Sequence, residues 1–311
     1  MAPPKLSEIH MLLGEGNRDM RLSLKSALFT RGFREIDTCA MGDQIPERLN
    51  TRLVDLLIYD YALPGGDFFD NIQRIRRAAV GRNPFMVMIA TLPNADASIV
   101  SRVLNSGVDD LIVKPMTFER LFDRIRGLTL RRRPFVAVRS YIGPTRRSTP
   151  RPDDKDLIQV PNTLRAKMVE GATNADVQRI VETAAVGLKG KQSEATAYEL
   201  ERLMERVSEF FEGKASESDL KGDLNRMIMV GNDIRSQFVA AGANHLGDLA
   251  AMLVALAQRI LADPAIRRMK ELLLLTNLVA AIKRALTTES EAIETMREIA
   301  TTIGGFTTRT H

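Results

Sequence analysis

Leu56-Leu57-Ile58-Tyr59-Asp60-Tyr61-Ala62-Leu63-Pro64-Gly65-Gly66-Asp67 is the stretch whose reading decides the fold. An apolar run that opens at Val54 ends on an acid, and a Pro-Gly turn follows at once. A short run that is apolar almost throughout suits a strand covered on both faces, which is the situation inside a parallel sheet. Similar runs occur at Ile9 to Leu13, Phe85 to Ile89 and Leu111 to Val113, with Ile36 to Cys39 as a further strand nearer the edge. Between them, Met20 to Thr30, Phe68 to Ala79, Ala97 to Asn105 and Phe118 to Gly127 carry apolar residues at helical spacing. Strict alternation of strand and helix implies right-handed crossovers and a doubly wound α/β domain with five parallel strands.

The rhythm breaks after Leu130. Residues 131–156 hold Arg131-Arg132-Arg133-Pro134, then Pro144, Pro150 and Pro152, and read as a basic linker. Eight Lys and Arg against three Asp in this segment account for the whole formal charge of +5. A basic connector of this kind is ordinarily solvated, so the charge by itself is weak ground for nucleic-acid binding. From Thr163 only helical periodicity remains, over 177–188, 195–211, 220–241, 246–261, 265–286 and 292–303. Gly242-Ala243-Asn244 reads as a glycine stop followed by an asparagine cap. The expected layout is an α/β domain at 8–130, a linker at 131–156 and an all-helical bundle at 157–311.

The single cysteine, Cys39, excludes an intrachain disulfide and a multi-cysteine metal site, and fits a reducing compartment. The start of the chain lacks the layout of a signal peptide, and the longest uninterrupted apolar runs fall short of the roughly 20 residues of a membrane span. A cytoplasmic protein without a membrane partner is expected.

In an open parallel sheet, chemistry collects beyond the carboxyl ends of the strands. Those ends carry Glu15-Gly16 after the first strand, Asp60 after the third, Ala90-Thr91 after the fourth and Lys114-Pro115 after the fifth. An acid, a hydroxyl, an amine and a second acid so placed can take up a phosphoryl group and balance its charge.

With Asp60-Tyr-Ala-Leu-Pro64-Gly65-Gly-Asp67, and Leu-Ile-Val-Lys114-Pro115 preceded by Gly107, residues 8–130 resemble a response-regulator receiver domain of the chemotaxis type. The resemblance implies Asp60 as phosphoacceptor, the Ala62 carbonyl as a ligand of Mg²⁺ beside Glu15 and Asp60, and Lys114 as counter-charge before a cis Pro115. The hydroxyl that follows the phosphoryl group is Thr91, with Ala90 as the alternative occupant of that slot. Two departures stand out. The family has two acids after the first strand, and Gly16 replaces one, so Mg²⁺ binding is expected to be weakened. The aromatic three residues before the lysine is Leu111 here, which leaves the hydroxyl–aromatic switch incomplete.

In the helical half, Ile234, Arg235, Ser236 and Gly242 follow Asn232 at +2, +3, +4 and +10. This resembles the histidine phosphotransfer signature with asparagine where the histidine belongs, and an amide offers no nucleophilic nitrogen comparable to imidazole. His10, His245 and His311 do not fit the signature. Tyr141-Ile142-Gly143-Pro144-Thr145-Arg146-Arg147 looks similar to a stretch that follows receiver domains in some bacterial regulators.

The expected function is that of a non-enzymatic response regulator, phosphorylated by a sensor histidine kinase or phosphotransfer protein. Its helical module would bind a receiver or downstream protein, or a second copy of the chain. The competing readings are a phosphorylation-independent scaffold, a phosphotransfer relay, which Asn232 disfavours, and a nucleic-acid binder acting through the linker, for which no helix-turn-helix or aromatic-rich surface is present.

Overall fold

The computed structural model describes residues 6–138, 141–147, 157–240, 244–262 and 269–307. The chain divides into two compact units, Met1–Ala185 and Val186–His311.

The first unit is built on β1 (His10–Gly14), β2 (Glu35–Cys39), β3 (Leu56–Asp60), β4 (Val87–Leu92) and β5 (Asp110–Val113). All pairings are parallel, in the order β2-β1-β3-β4-β5. Every residue of β3 and β4 is buried, as runs without alternation require. On one face α1 (Arg18–Thr30) and α5 (Phe118–Leu130) bring Leu24, Leu28, Leu121 and Ile125 against Met11, Leu13, Ile58 and Ile89. On the other, α2 (Gln44–Thr51), α3 (Phe68–Arg76) and α4 (Ala97–Leu104) bring Ile45, Leu49, Ile72 and Val103 against Leu12, Leu57, Tyr59 and Met88. Side-chain caps start four of these helices: Asn17, Asp67, Asp96 and Thr117 each accept at least one first-turn N–H. Such caps are worth ~1 kcal/mol apiece.

The described part of the expected linker is not a solvated connector. It forms β6 (Phe135–Val138) and β7 (Tyr141–Pro144), and β6 pairs with both β7 and β8 (Leu157–Ile158) in a second, antiparallel sheet. Pro150 and Pro152 lie outside the described residues. A buried charge cluster joins this sheet to the first. The Asp109 carboxylate, buried at the side chain, accepts from Arg76 at 2.8 Å and from Arg132 at 2.8 and 3.1 Å, and its Oδ2 also accepts the Met88 N–H. The remaining guanidinium donors reach carbonyls of Gly107, Pro84, Met86, Phe85 and Pro161. The Phe135 ring takes both guanidinium carbons on its π system, at 4.9 and 4.8 Å. Burial pushes the Arg76 pKa down to about 10. Burial alone would raise the Asp109 carboxyl, and its two guanidinium partners hold it below the usual range instead. Gly107 permits the close docking. Its φ is +114°, and a Cβ there would lie 2.6 Å from the Ile142 carbonyl oxygen.

After β8, α6 (Thr163–Met168) buries Leu164 in the first core and sends Lys167 to Asp55 at 2.6 Å and the Glu8 carbonyl at 3.1 Å.

The second unit contains the carboxyl part of α7 (Asn174–Phe211) with α8 (Glu217–Ala240), α9 (Asn244–Ala262) and α10 (Met269–Thr307). Leu200, Leu203, Leu224, Val230, Leu253 and Leu275 lie in one core. The helices expected separately at 177–188 and 195–211 are continuous in α7, and those expected at 265–286 and 292–303 are continuous in α10, which begins at Met269. The Gly242 stop lies outside the described residues. The window His245–Ala262, of mean hydropathy 1.3, is long and apolar enough to cross a membrane by length and composition alone. Its Ala250, Leu253, Ala257 and Ile260 are buried in the helical core.

Replacing Asp109 by Ala strands two buried guanidiniums. Breaking a buried pair from one side costs ~3–5 kcal/mol, and urea denaturation should show a loss of this size in the first unit. The lowered Asp109 pKa means that its contribution is present above the ordinary aspartate range and is lost as pH falls through the folded-state value.

Candidate functional site

The carboxyl ends of β1, β3, β4 and β5 place Glu15, Asp60, Thr91 and Lys114 together. Lys114 Nζ donates to Asp60 Oδ2 at 2.8 Å and to Glu15 Oε2 at 2.7 Å. Both carboxylates are buried, and the lysine side chain retains 19% of its surface. The second oxygens are also held: Asp60 Oδ1 accepts the Ala62 N–H at 3.1 Å, and Glu15 Oε1 accepts that of Asn17 at 2.9 Å. Burial acts to lower the Lys114 pKa, but its hydrogen bonds and charge pairing with Asp60 and Glu15 outweigh it and the net shift is upward. The ammonium therefore stays charged throughout the neutral range. Its contribution to stability is full below the ordinary lysine range and fades as pH rises through the folded-state value.

Register settles which β4 residue faces Asp60. Thr91 is its strand partner and is buried, whereas Ala90 pairs with Tyr59 and lies in the opposite core layer. The Lys114-Pro115 peptide is cis, as the resemblance implies. Leu111 is partly buried against the core that holds Tyr59 and Ala90.

The loop after β3 is clamped from below. The Gly42 N–H donates to the Pro64 carbonyl at 2.7 Å, and a Cβ on Gly42 would fall 2.2 Å from the Gly65 oxygen, so only glycine fits. Asn71 Nδ2 ties the Gly42 carbonyl to the Tyr59 hydroxyl. Gly16 is roofed by the same loop: a Cβ there would meet Pro64 Cδ at 3.1 Å. An acid at position 16 would need Pro64 to give way by a few tenths of an ångström.

Two supporting residues were not singled out from the sequence. Arg21 Nη1 donates to the Glu15 carbonyl at 2.6 Å and fixes the loop before α1, and Asn17 both caps α1 and holds Glu15. Asn17, just ahead of an amphipathic run, carried a legible capping signal. Arg21 carried none, since its acceptor is backbone.

Among the described residues no group of three or more His, Cys, Asp or Glu could hold a metal ion. The Glu15 and Asp60 pair still offers the hard oxygens that Mg²⁺ takes, and Mg²⁺ is commonly bound by one or two carboxylates completed by water and phosphate. The residues thus fit the ion, with Lys114 on the same oxygens.

Residues 11–126 match the family described as response regulator receiver domain. The first unit contains a receiver domain. Over 123 residues the chain is 34% identical to the phosphate regulon transcriptional regulatory protein PhoB of Rhizobium meliloti, covering 39% of this chain and 52% of that protein. Over 121 residues it is 35% identical to the transcriptional regulatory protein AfsQ1 of Streptomyces coelicolor, covering 39% of this chain and 51% of that one. The chain spans about half the length of these curated relatives. Among solved structures, the Vibrio cholerae chemotaxis protein CheY4 overlays with a TM-score of 0.35 at 18% identity, over 38% of this chain and 96% of that one.

In the helical unit, Asn232, Arg235 and Ser236 are all exposed on α8, and the Ser236 hydroxyl donates back to the Asn232 carbonyl at 2.9 Å. His245 is exposed at the start of α9.

Cys39 closes the receiver's β2. Burial pushes its thiol up to about 11, which leaves about a thousandth as thiolate at pH 8. Iodoacetamide should leave the native chain unmodified over a period in which the urea-unfolded chain is fully alkylated, as read by intact mass.

Proposed function

We propose that the chain is a cytoplasmic response regulator in a phosphorelay, with Asp60 as phosphoacceptor. The observation that carries this reading is the strand-end cluster in which Asp60 shares Lys114 with Glu15 and has Thr91 as its strand neighbour. A carboxylate oxygen of Asp60 attacks the phosphorus of a phosphohistidine on a sensor kinase or phosphotransfer protein. The new O–P bond forms as the P–N bond to imidazole breaks, and the electron pair returns to the imidazole nitrogen, which takes up a proton. The charge added at Asp60 is balanced by Lys114, and the Thr91 hydroxyl donates to a phosphoryl oxygen. When bound, Mg²⁺ would be held by Asp60, Glu15 and the Ala62 carbonyl and would neutralise the transferred group. Gly16 and the competing Lys114 ammonium weaken that binding.

The helical unit is read as a partner-binding or dimerisation module that takes no phosphate. Asn232 supplies no nucleophile, and the exposed Arg235 and Ser236 beside it leave a surface suited to docking a receiver-like protein.

A second reading, a scaffold that never carries phosphate, is favoured by the closed arrangement at the site. Lys114 already satisfies one oxygen of each carboxylate, and Gly16 supplies no side chain.

Incubation with Mg²⁺ and acetyl phosphate, followed by intact-mass and peptide analysis, separates the two. A single phosphoryl adduct on Asp60, lost in Asp60→Asn, with none on residues 186–311, is expected. No adduct on the native chain establishes the scaffold, and an adduct surviving in Asp60→Asn overturns the assignment.

A further inference from the structure

Part of the chain's basic segment comes to a defined place in the fold. Arg131, Arg133 and Arg146 from the basic segment and Arg124 and Arg126 from α5 line one open cleft of about 780 Å³. It lies between the end of α4, the carboxyl half of α5 and the β6–β7 hairpin, beside Asp110 at the start of β5. That is the end of the sheet away from Asp60 and Lys114.

The acids on its walls do little to cancel this charge. Asp109 is already saturated by Arg76 and Arg132, and Asp110 pairs with Arg124 at 3.1 Å, which leaves Asp123. Among the described residues Arg126, Arg131, Arg133 and Arg146 form no ion pair. Two of them are nevertheless fixed in position by carbonyl oxygens. Arg133 donates to Thr145 at 3.1 Å, and Arg146 donates to Leu104 and, at 2.5 Å, to Val108. A carbonyl orients a guanidinium without cancelling its charge, so these hydrogen bonds leave the cations on the cleft wall unpaired. The Nε of Arg146 is buried without an acceptor of its own.

All five cations are arginines, whose planar forks match phosphate oxygens in pairs. The volume of about 780 Å³ falls within the ~300–1,000 Å³ of small-molecule sites. The lining contains Leu104, Leu128, Leu130 and Pro144 and no aromatic ring on which bases of a single strand could stack. We propose that this cleft binds a small anion carrying two or more phosphoryl groups, either an inorganic polyphosphate or a nucleoside triphosphate.

Calorimetric titration of the full chain at low salt with EDTA tests this, using tripolyphosphate, ATP, GTP, orthophosphate and a short DNA duplex as separate probes. One site for tripolyphosphate or a nucleoside triphosphate is expected, with orthophosphate far weaker. Affinity should fall by about tenfold or more in the Arg126→Gln/Arg131→Gln double variant and stay unchanged in Asp60→Asn. Both substituted arginines are exposed and make no described side-chain hydrogen bond, so the fold is kept, as matching melting curves would verify. Tighter binding of a nucleotide than of tripolyphosphate identifies the nucleotide as the source, and equal binding identifies the phosphate chain alone. No binding of either anion, affinity unaltered in the double variant, or capture of duplex DNA in their place overturns the proposal.

Discussion

At the carboxyl end of the sheet, one ammonium group lies 2.7 Å from the Glu15 carboxylate and 2.8 Å from that of Asp60. Two buried carboxylates on one ammonium would repel each other unless that cation stood between them. Lys114 is that cation. Because Glu15 follows β1, Asp60 ends β3 and Lys114 follows β5, the triad ties three strand ends that are far apart in sequence. It supplies the positive charge that both carboxylates share. It also sets a competition, since the oxygens that attract a divalent ion are those that Lys114 already holds.

A second buried cluster does for the opposite end of the domain what Lys114 does for the site. Asp109 between Arg76 and Arg132 fastens the β6–β7 hairpin to the edge where β4 and β5 begin. Lys167 on Asp55 does the same for α6, leaving Asp55 Oδ1 without a partner. Removing either member from such a pair is costly because the other remains buried and charged. The first unit therefore extends well past Leu130, and the segment that supplies the net charge also supplies structure.

Much of this was legible in the sequence for identifiable reasons. The parallel strands stood out because residues such as Leu56 to Tyr59 are covered on both sides and tolerate no polar alternation. The site residues stood out because each follows such a run. The short helix α2 went unread: Pro46 lies in its first turn and only Ile45 and Leu49 mark its buried face. The basic segment was misread because its arginines bond backbone carbonyls such as Phe85 and Met86 and one distant aspartate, partners that leave no periodic trace. Lys189-Gly190-Lys191-Gln192-Ser193-Glu194 and Thr287-Thr288-Glu289-Ser290-Glu291 interrupt the apolar pattern without ending the helix, so α7 and α10 each read as two.

The most direct test of the Lys114 bridge is a Mg²⁺ titration of the native chain and of Lys114→Gln, followed through the amide NMR signals of Ala62 and Thr91. If the ammonium occupies the oxygens that a divalent ion needs, its removal should tighten Mg²⁺ binding by about tenfold or more, equivalent to ~1.4 kcal/mol. Equal or weaker binding by Lys114→Gln in a folded protein would contradict the account, for it would mean that Lys114 does not hold the two carboxylates against a metal ion.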